Sequence, residues 1–342
     1  MDNGDGGAQR DWARRRTTVA LPTWPKRRGS HLTRRRHRAR PKGIVAMSWY
    51  FPNGSLATES QPLSLDVRRA GWTYCGLDVY DLSRTPSVRF RHLDRESIIV
   101  PLSSQRVDVH VDGIHYSLTG RSGVFAAVAD WLYVPVGAET TFSGEPGEVA
   151  VCTAVAEQRF PVHHGLAQDV PVEPRGAGFA TRQVNNIATP DSFKFAHRIL
   201  VCEVLTPGGN WSSWPPHRHD GVAGCPYMNE EIYYFRLGKQ LSDHGDPEAT
   251  GYFHAYTVDN SVNDTITLHD GDTYVLPAGY HGPTIAAPEY PMYFLNVLAG
   301  PAAERTMAFC DDPSHHWIRD SWKTQAIDPR VPMTRASGRV RQ

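Results

Sequence analysis

The 342-residue sequence contains no run of 18 or more apolar residues, so nothing in it is long and apolar enough for a membrane-spanning helix. It has no CxxC pair, and its five cysteines, Cys75, Cys152, Cys202, Cys225 and Cys310, are scattered and odd in number. That usage reads as reduced thiols in a cytoplasmic protein, not as a disulfide frame, with Cys152 and Cys202 as small core residues. An export signal is excluded: the arginine cluster Arg14-Arg15-Arg16 is followed by no apolar h-region between Thr17 and Pro25. Net charge is also absent, with 36 basic residues against 36 acidic, while 40% of the chain is hydrophobic. Such a balance excludes a wholly disordered chain, a collagen and a disulfide mini-protein.

The neutral total conceals two unequal parts. Residues 1–46 hold thirteen Lys/Arg and three Asp, a net of +10, which leaves 23 basic and 33 acidic residues, a net of −10, in the remainder. A boundary therefore falls near Ala46. The head reads as a disordered extension or as an upstream-start artefact ahead of Met47. Its clusters Lys26-Arg27-Arg28 and Arg34-Arg35-Arg36 would suit phosphates, but a nucleic-acid partner is not the expectation.

From Met47 onward the texture is that of short strands. Runs such as Ser97-Ile-Ile-Val-Pro-Leu102, Val149-Ala-Val-Cys-Thr153 and Met292-Tyr-Phe-Leu-Asn-Val297 are separated by Gly, Pro and Asp turns, and no long segment keeps a 3.6-residue period. Many short strands argue for an all-β sandwich, barrel or jelly roll. An internal repeat sharpens this: Asp130-Trp-Leu-Tyr-Val-Pro-Val-Gly-Ala-Glu139 aligns with Asp272-Thr-Tyr-Val-Leu-Pro-Ala-Gly-Tyr-His281. Each copy ends a strand at Pro-x-Gly and delivers one polar side chain at the same offset, Glu139 or His281.

The chemistry concentrates in the second copy. In Trp214-Pro-Pro-His217-Arg-His219-Asp220 the two histidines stand two apart, and on a strand i and i+2 share a face. Glu231 opens the apolar run Glu231-Ile-Tyr-Tyr-Phe235, and His281 follows the Pro-x-Gly turn. Three imidazoles and one carboxylate suit one divalent first-row metal ion, Zn, Mn or Fe.

His-x-His, a later Glu, Pro-x-Gly-x-His and the following Asn296 resemble the two motifs of the cupin superfamily. More particular strings, Leu205-Thr-Pro-Gly-Gly-Asn-Trp-Ser-Ser-Trp-Pro-Pro-His-Arg-His-Asp220, Arg182-Gln-Val-Asn-Asn-Ile187, Tyr293-Phe-Leu-Asn-Val-Leu-Ala-Gly-Pro301 and Asp311-Asp-Pro313, are similar to the 5-deoxy-glucuronate isomerase family of bacterial myo-inositol catabolism. The resemblance runs from about Met47 to Trp317. It implies a bicupin of two jelly-roll β-barrels: a degenerate barrel over 47–180, a metal-binding barrel over 181–325 and a tail over 326–342. It also implies the aldose–ketose isomerisation of 5-deoxy-D-glucuronate to 5-dehydro-2-deoxy-D-gluconate, with His217, His219, Glu231 and His281 as metal ligands. The chain departs from the family in the loop Gly221-Val-Ala-Gly-Cys225 and at His254, neither of which touches that ligand set.

Proton transfer between adjacent carbons requires a base. Glu203 is the candidate, because a carboxylate in the apolar strand Ile199-Leu-Val-Cys-Glu-Val204 is costly unless paired or used. Tyr233 shares strand parity with Glu231 and is the second catalytic candidate. For the substrate carboxylate an arginine fork is the natural partner, Arg182 first and Arg236 second, although parity turns Arg236 away from Glu231. Tyr280 and Asn296 complete the candidate substrate-binding residues. Asp220, Asp270 and Asp272 could serve the ligand histidines as outer acceptors, or be turn residues, the preferred reading beside Gly271. The same ligand set would serve an iron cupin dioxygenase, and a non-catalytic sugar-acid-binding bicupin is the third alternative. The expected partner is a small sugar acid, and an exposed jelly-roll edge suggests a homodimer.

Overall fold

The computed structural model describes residues 49–340, so the basic head lies outside the described residues. Apolar runs without alternation become strands covered on both faces: every residue of Met292–Ala299 is buried, as is every residue of Leu200–Thr206. Where polar and apolar residues alternate, as in Arg106–Val111, one face is covered and the other meets water.

The strands build two similar barrels. In the first, a six-stranded sheet (His163–Gly165, Trp131–Val134, Arg95–Pro101, Glu148–Val155, Cys75–Asp81, Leu63–Leu65) closes on a four-stranded one (Ser87–Phe90, Thr140–Gly144, Arg106–Val111, Ile114–Thr119). In the second, the order Thr273–Leu276, Glu230–Leu237, Met292–Ala299, Leu200–Thr206, Arg182–Asn185 repeats that of the first large sheet, and His217–Arg218, Tyr280–Ala286, Gly251–Tyr256, Asn263–Leu268 repeats the small one. The repeat seen in the sequence is thus one strand pair used twice. Trp131–Val134 and Thr140–Gly144 occupy in the first barrel the places of Thr273–Leu276 and Tyr280–Ala286 in the second. The fold is all-β, a bicupin. Among the described residues no helix is long and apolar enough to cross a membrane.

The second barrel draws edge strands from the first segment. Tyr50–Phe51 pairs with Thr273 and Tyr274, and Val172–Arg175 pairs with Arg182–Asn185, so two strands from the segment 47–180 belong to the second barrel's sheet. The tail also takes part, as Gln183 Oε1 accepts from the backbone N–H groups of Met333 (2.6 Å) and Thr334 (3.0 Å).

Each barrel has its own interior cluster, around Phe142 in the first and Phe235 in the second, and a third cluster joins the outer faces of the two large sheets. Within that shared layer two glutamates act in opposite directions. Glu96 of the first barrel accepts from the backbone N–H groups of His197, Arg198 and Ile199 at 2.6–2.8 Å and from the Tyr133 hydroxyl at 2.8 Å. Glu230 of the second accepts from the N–H groups of Thr73, Tyr74 and Cys75 at 2.6–3.0 Å. Each carboxylate thereby satisfies the entry to a central strand of the other barrel. Glu96→Ala should lower stability by about 3 kcal/mol or more, since an unsatisfied buried donor costs roughly 1–3 kcal/mol; urea unfolding with an unchanged midpoint would count against this role.

Candidate metal centre and its cavity

His217–Arg218 pairs with two strands, placing His217 opposite His281 on one side and opposite Asp311 on the other. Alternation along Glu230–Leu237 turns Glu231, Tyr233, Phe235 and Leu237 into the barrel, toward the same space. Donor atoms of His219, Glu231 and His281 all lie within 4.8 Å of one another, and the three side chains are buried. Glu231 Oε2 is 3.0 Å from His219 Nε2 and 3.2 Å from His281 Nε2. The His217 ring stands 4.3 Å from that of His281.

The histidines are oriented from outside. Asn229 O lies 2.9 Å from His219 Nδ1, and Pro215 O lies 3.2 Å from His217 Nδ1, which reserves the Nε2 atoms for the centre. Neither nitrogen of His281 makes a hydrogen bond, although the residue is wholly buried. A buried imidazole that makes no hydrogen bond and turns its Nε2 toward a carboxylate 3.2 Å away has the donor arrangement of a metal ligand, so the residues fit a divalent cation. Burial, with the neighbouring imidazoles, holds His217 well below the usual histidine range, and burial likewise lowers His281. Burial opposes the charge of Glu231, but His281 and His219 overcome it and keep the carboxylate far below its usual range. Against its burial, the hydrogen bond and charge of Glu231 raise His219, so the lowered His217 and His281 are the imidazoles held in the neutral, ligand form.

His217, His219 and Glu231 line a cavity of about 530 Å³. Tyr233 and Asn296 line it, as expected; the Tyr233 hydroxyl is 3.3 Å from Ser213 Oγ and its ring 5.8 Å from that of His281. Arg182 lines it as well.

Three expected residues are elsewhere. Glu203 is buried on the opposite face of its strand, in the layer between the barrels, where it pairs with Arg121 and accepts from Tyr293 Oη and Asn185 Nδ2, each at 2.9 Å. It is a paired carboxylate, not a base facing the cavity; its strand is covered on both sides, so burial alone did not reveal which side it faced. Arg236 points out of the barrel, bound to Asp270 at 2.8 Å and to Glu148. Tyr280 is turned outward because its neighbour His281 points in, and it lies against Arg218 and Tyr256. Asp270 holds Arg236, Asp272 accepts from Tyr50, Asn53 and His269, and Asp220 holds Arg218, so none of the three orients a ligand histidine. His254 bonds Asn263 at 2.9 Å and stays off the cavity.

A further correction concerns the thiols. Cys225 and Cys310, 85 residues apart, form a disulfide, while Cys75, Cys152 and Cys202 are free and buried. Pairing of Arg218 with Cys310 brings the 310 segment alongside the loop after the histidines, a meeting that spacing could not reveal. Sequence reasoning also missed Glu173, Arg175, Phe309, Arg319 and Trp322 in the cavity wall. They come from the edge strand that the first segment lends and from the segment after the last barrel strand, and no local pattern marks them.

Residues 50–318 match the KduI/IolB family. A 5-deoxy-glucuronate isomerase of Geobacillus thermodenitrificans is 37% identical over 273 residues, covering 77% of this chain and 93% of the relative. Another, from Halalkalibacterium halodurans, is 38% identical over 73% of this chain and 89% of its own. The crystal structure of an IolB-like protein from Salmonella typhimurium is similar with a TM-score of 0.70 at 30% identity, across 79% of this chain and 98% of that one. An oxalate decarboxylase, at 12% identity and a TM-score of 0.53 over 79% of this chain and 81% of its own, shares the fold alone. With the family matched over residues 50–318 and 37% of 273 aligned residues identical to a named isomerase, the chain belongs to the KduI/IolB family.

Proposed function

We propose that the protein is a metal-dependent isomerase that converts 5-deoxy-D-glucuronate to 5-dehydro-2-deoxy-D-gluconate in myo-inositol catabolism. The observation that carries this reading is the buried set His219, Glu231 and His281, with His217 against it, beside a cavity that three of the four line, in a chain of this family. His217, His219, Glu231 and His281 would hold one divalent ion, Zn, Mn or Fe. When bound, such an ion supplies Lewis acidity to the oxygens of the two carbons between which the proton moves. The chain itself supplies orientation and shelter. Tyr233 Oη, beside Ser213, is placed to donate a hydrogen bond to a substrate oxygen near the centre, and the Asn296 amide lines the same wall. Phe294, Met307 and Phe309 exclude water on the apolar side.

The test is NMR of 5-deoxy-D-glucuronate in D₂O with the purified protein, with bound metal measured by elemental analysis. Ketose with deuterium at the former aldehyde carbon is expected. Tyr233→Phe should lower kcat by about 10²-fold or more, the lower end of what a positioned proton donor contributes. Oxygen uptake without ketose would instead establish a dioxygenase, and neither product with intact uronate binding would establish a sugar-acid-binding protein.

A further inference from the structure

At the wall of the cavity stand three arginines, and they differ in what neutralises them. Arg319 makes a two-pronged pair with Asp311, at 2.5 and 2.6 Å. Arg175 is 3.0 Å from Glu173 and donates to Asn186 Oδ1 at 3.3 Å. Arg182, only 9% exposed, makes one hydrogen bond among the described residues, from Nη1 to the Ala180 carbonyl at 3.1 Å, and has no carboxylate within ion-pairing distance. A guanidinium has five N–H donors, so four lack a protein acceptor. Burial and the nearby Arg175 and Arg319 push its pKa down to about 9, against the pull of Glu173, whose carboxylate is paired with Arg175.

The surroundings keep this group accessible. A Cβ on Gly176 would come within 2.7 Å of Arg182 Nη1 and 2.1 Å of the Ala180 carbonyl that fixes it, so glycine there leaves the guanidinium its place. Trp322 covers the other side, its ring 5.7 Å from the guanidinium carbon. The strand Arg182–Asn185 is also anchored from behind, as Asn185 donates to Glu203 and Gln183 to Thr334.

We infer that Arg182, set between the neutralised Arg175 and Arg319 and backed by Trp322, is the anion subsite of the cavity and takes the carboxylate of a sugar acid. This deepens the isomerase reading and rests on it for the identity of the sugar. In 5-deoxy-D-glucuronate the carboxylate is at the end of the six-carbon chain opposite the two carbons that react. One guanidinium holding that end and the histidine centre receiving the other would fix the sugar's direction in the cavity, and neutral aldoses would lose half of the recognition.

The test is calorimetric titration of the full metal-loaded chain with D-glucuronate and with D-glucose. Wild type should bind glucuronate at least about 30-fold more tightly than glucose, and Arg182→Met should remove most of that preference. Arg182→Lys, which keeps the charge and loses the fork, should fall between the two. The thermal midpoint of wild type should also rise with glucuronate more than with glucose, which needs no variant. Equal binding of the two sugars by wild type would overturn the inference, as would unchanged glucuronate affinity in folded Arg182→Met. Loss of selectivity in Arg182→Met together with no turnover of 5-deoxy-D-glucuronate by wild type would overturn the isomerase reading and leave the anion subsite standing.

Discussion

His281→Ala protein is expected to lose its divalent ion on elemental analysis and to turn over 5-deoxy-D-glucuronate at least about 10³-fold more slowly than wild type, since a Lewis-acid cation contributes several kcal/mol to such a reaction. The loss follows from where His281 sits. It is wholly buried, neither nitrogen has a hydrogen-bond partner, and its Nε2 is 3.2 Å from the carboxylate of Glu231. Incubation of wild type with a chelator should reproduce the loss, and added divalent metal should restore activity to wild type but not to the variant. The paired control is Glu139→Ala. Glu139 occupies the corresponding offset in the first barrel but is exposed and ion-paired with Arg89, so its removal should change neither metal content nor rate. Full activity in metal-free His281→Ala would remove the metal from the mechanism.

The second large effect is on stability. Arg121→Met should destabilise the protein by about 3–5 kcal/mol, because it leaves Glu203 charged, buried and without its ionic partner. The two side chains are 0% and 1% exposed. Tyr293 and Asn185 would still bond Glu203 but cannot neutralise it. A double variant, Arg121→Met with Glu203→Leu, should recover much of the loss, since replacing both members of a buried pair by apolar groups is often close to neutral. Chemical denaturation of the three proteins measures this. The folded Glu203→Gln protein should keep its kcat, because the carboxylate faces the layer between the barrels and not the cavity; a fall of 10²-fold, the scale of a lost general base, would return Glu203 to the mechanism.

Much of this was legible before any coordinates. His217 and His219 lie two apart, and the Pro-x-Gly turn before His281 repeats the one before Glu139, so a metal set in one of two related β units follows from spacing. Tyr233 shares the parity of Glu231 and does enter the cavity. Parity also turned Arg236 outward, where the structure places it against Asp270. Glu203 lies beyond what local pattern carries. Its cost of burial was read correctly, but the partner that offsets it, Arg121, is 82 residues away in the other barrel. Tyr280 failed for a nearer reason: adjacent strand residues face opposite sides, so closeness to a ligand in sequence placed it outside the cavity.

By itself the sequence determined the strand-rich architecture, the repeat and the shared face of Glu231 and Tyr233, because these depend on a two-residue period and on turn chemistry acting over a few positions. Only the tertiary structure decided which edge strand joins which barrel, that Cys225 meets Cys310, and that Arg175, Arg182 and Arg319 line one cavity, Arg175 and Arg319 within ion-pairing distance of a carboxylate and Arg182, among the described residues, not. Those outcomes are set by pairing between segments far apart in the chain and by the choice of counter-ions in a buried layer, and neither leaves a local mark on the sequence.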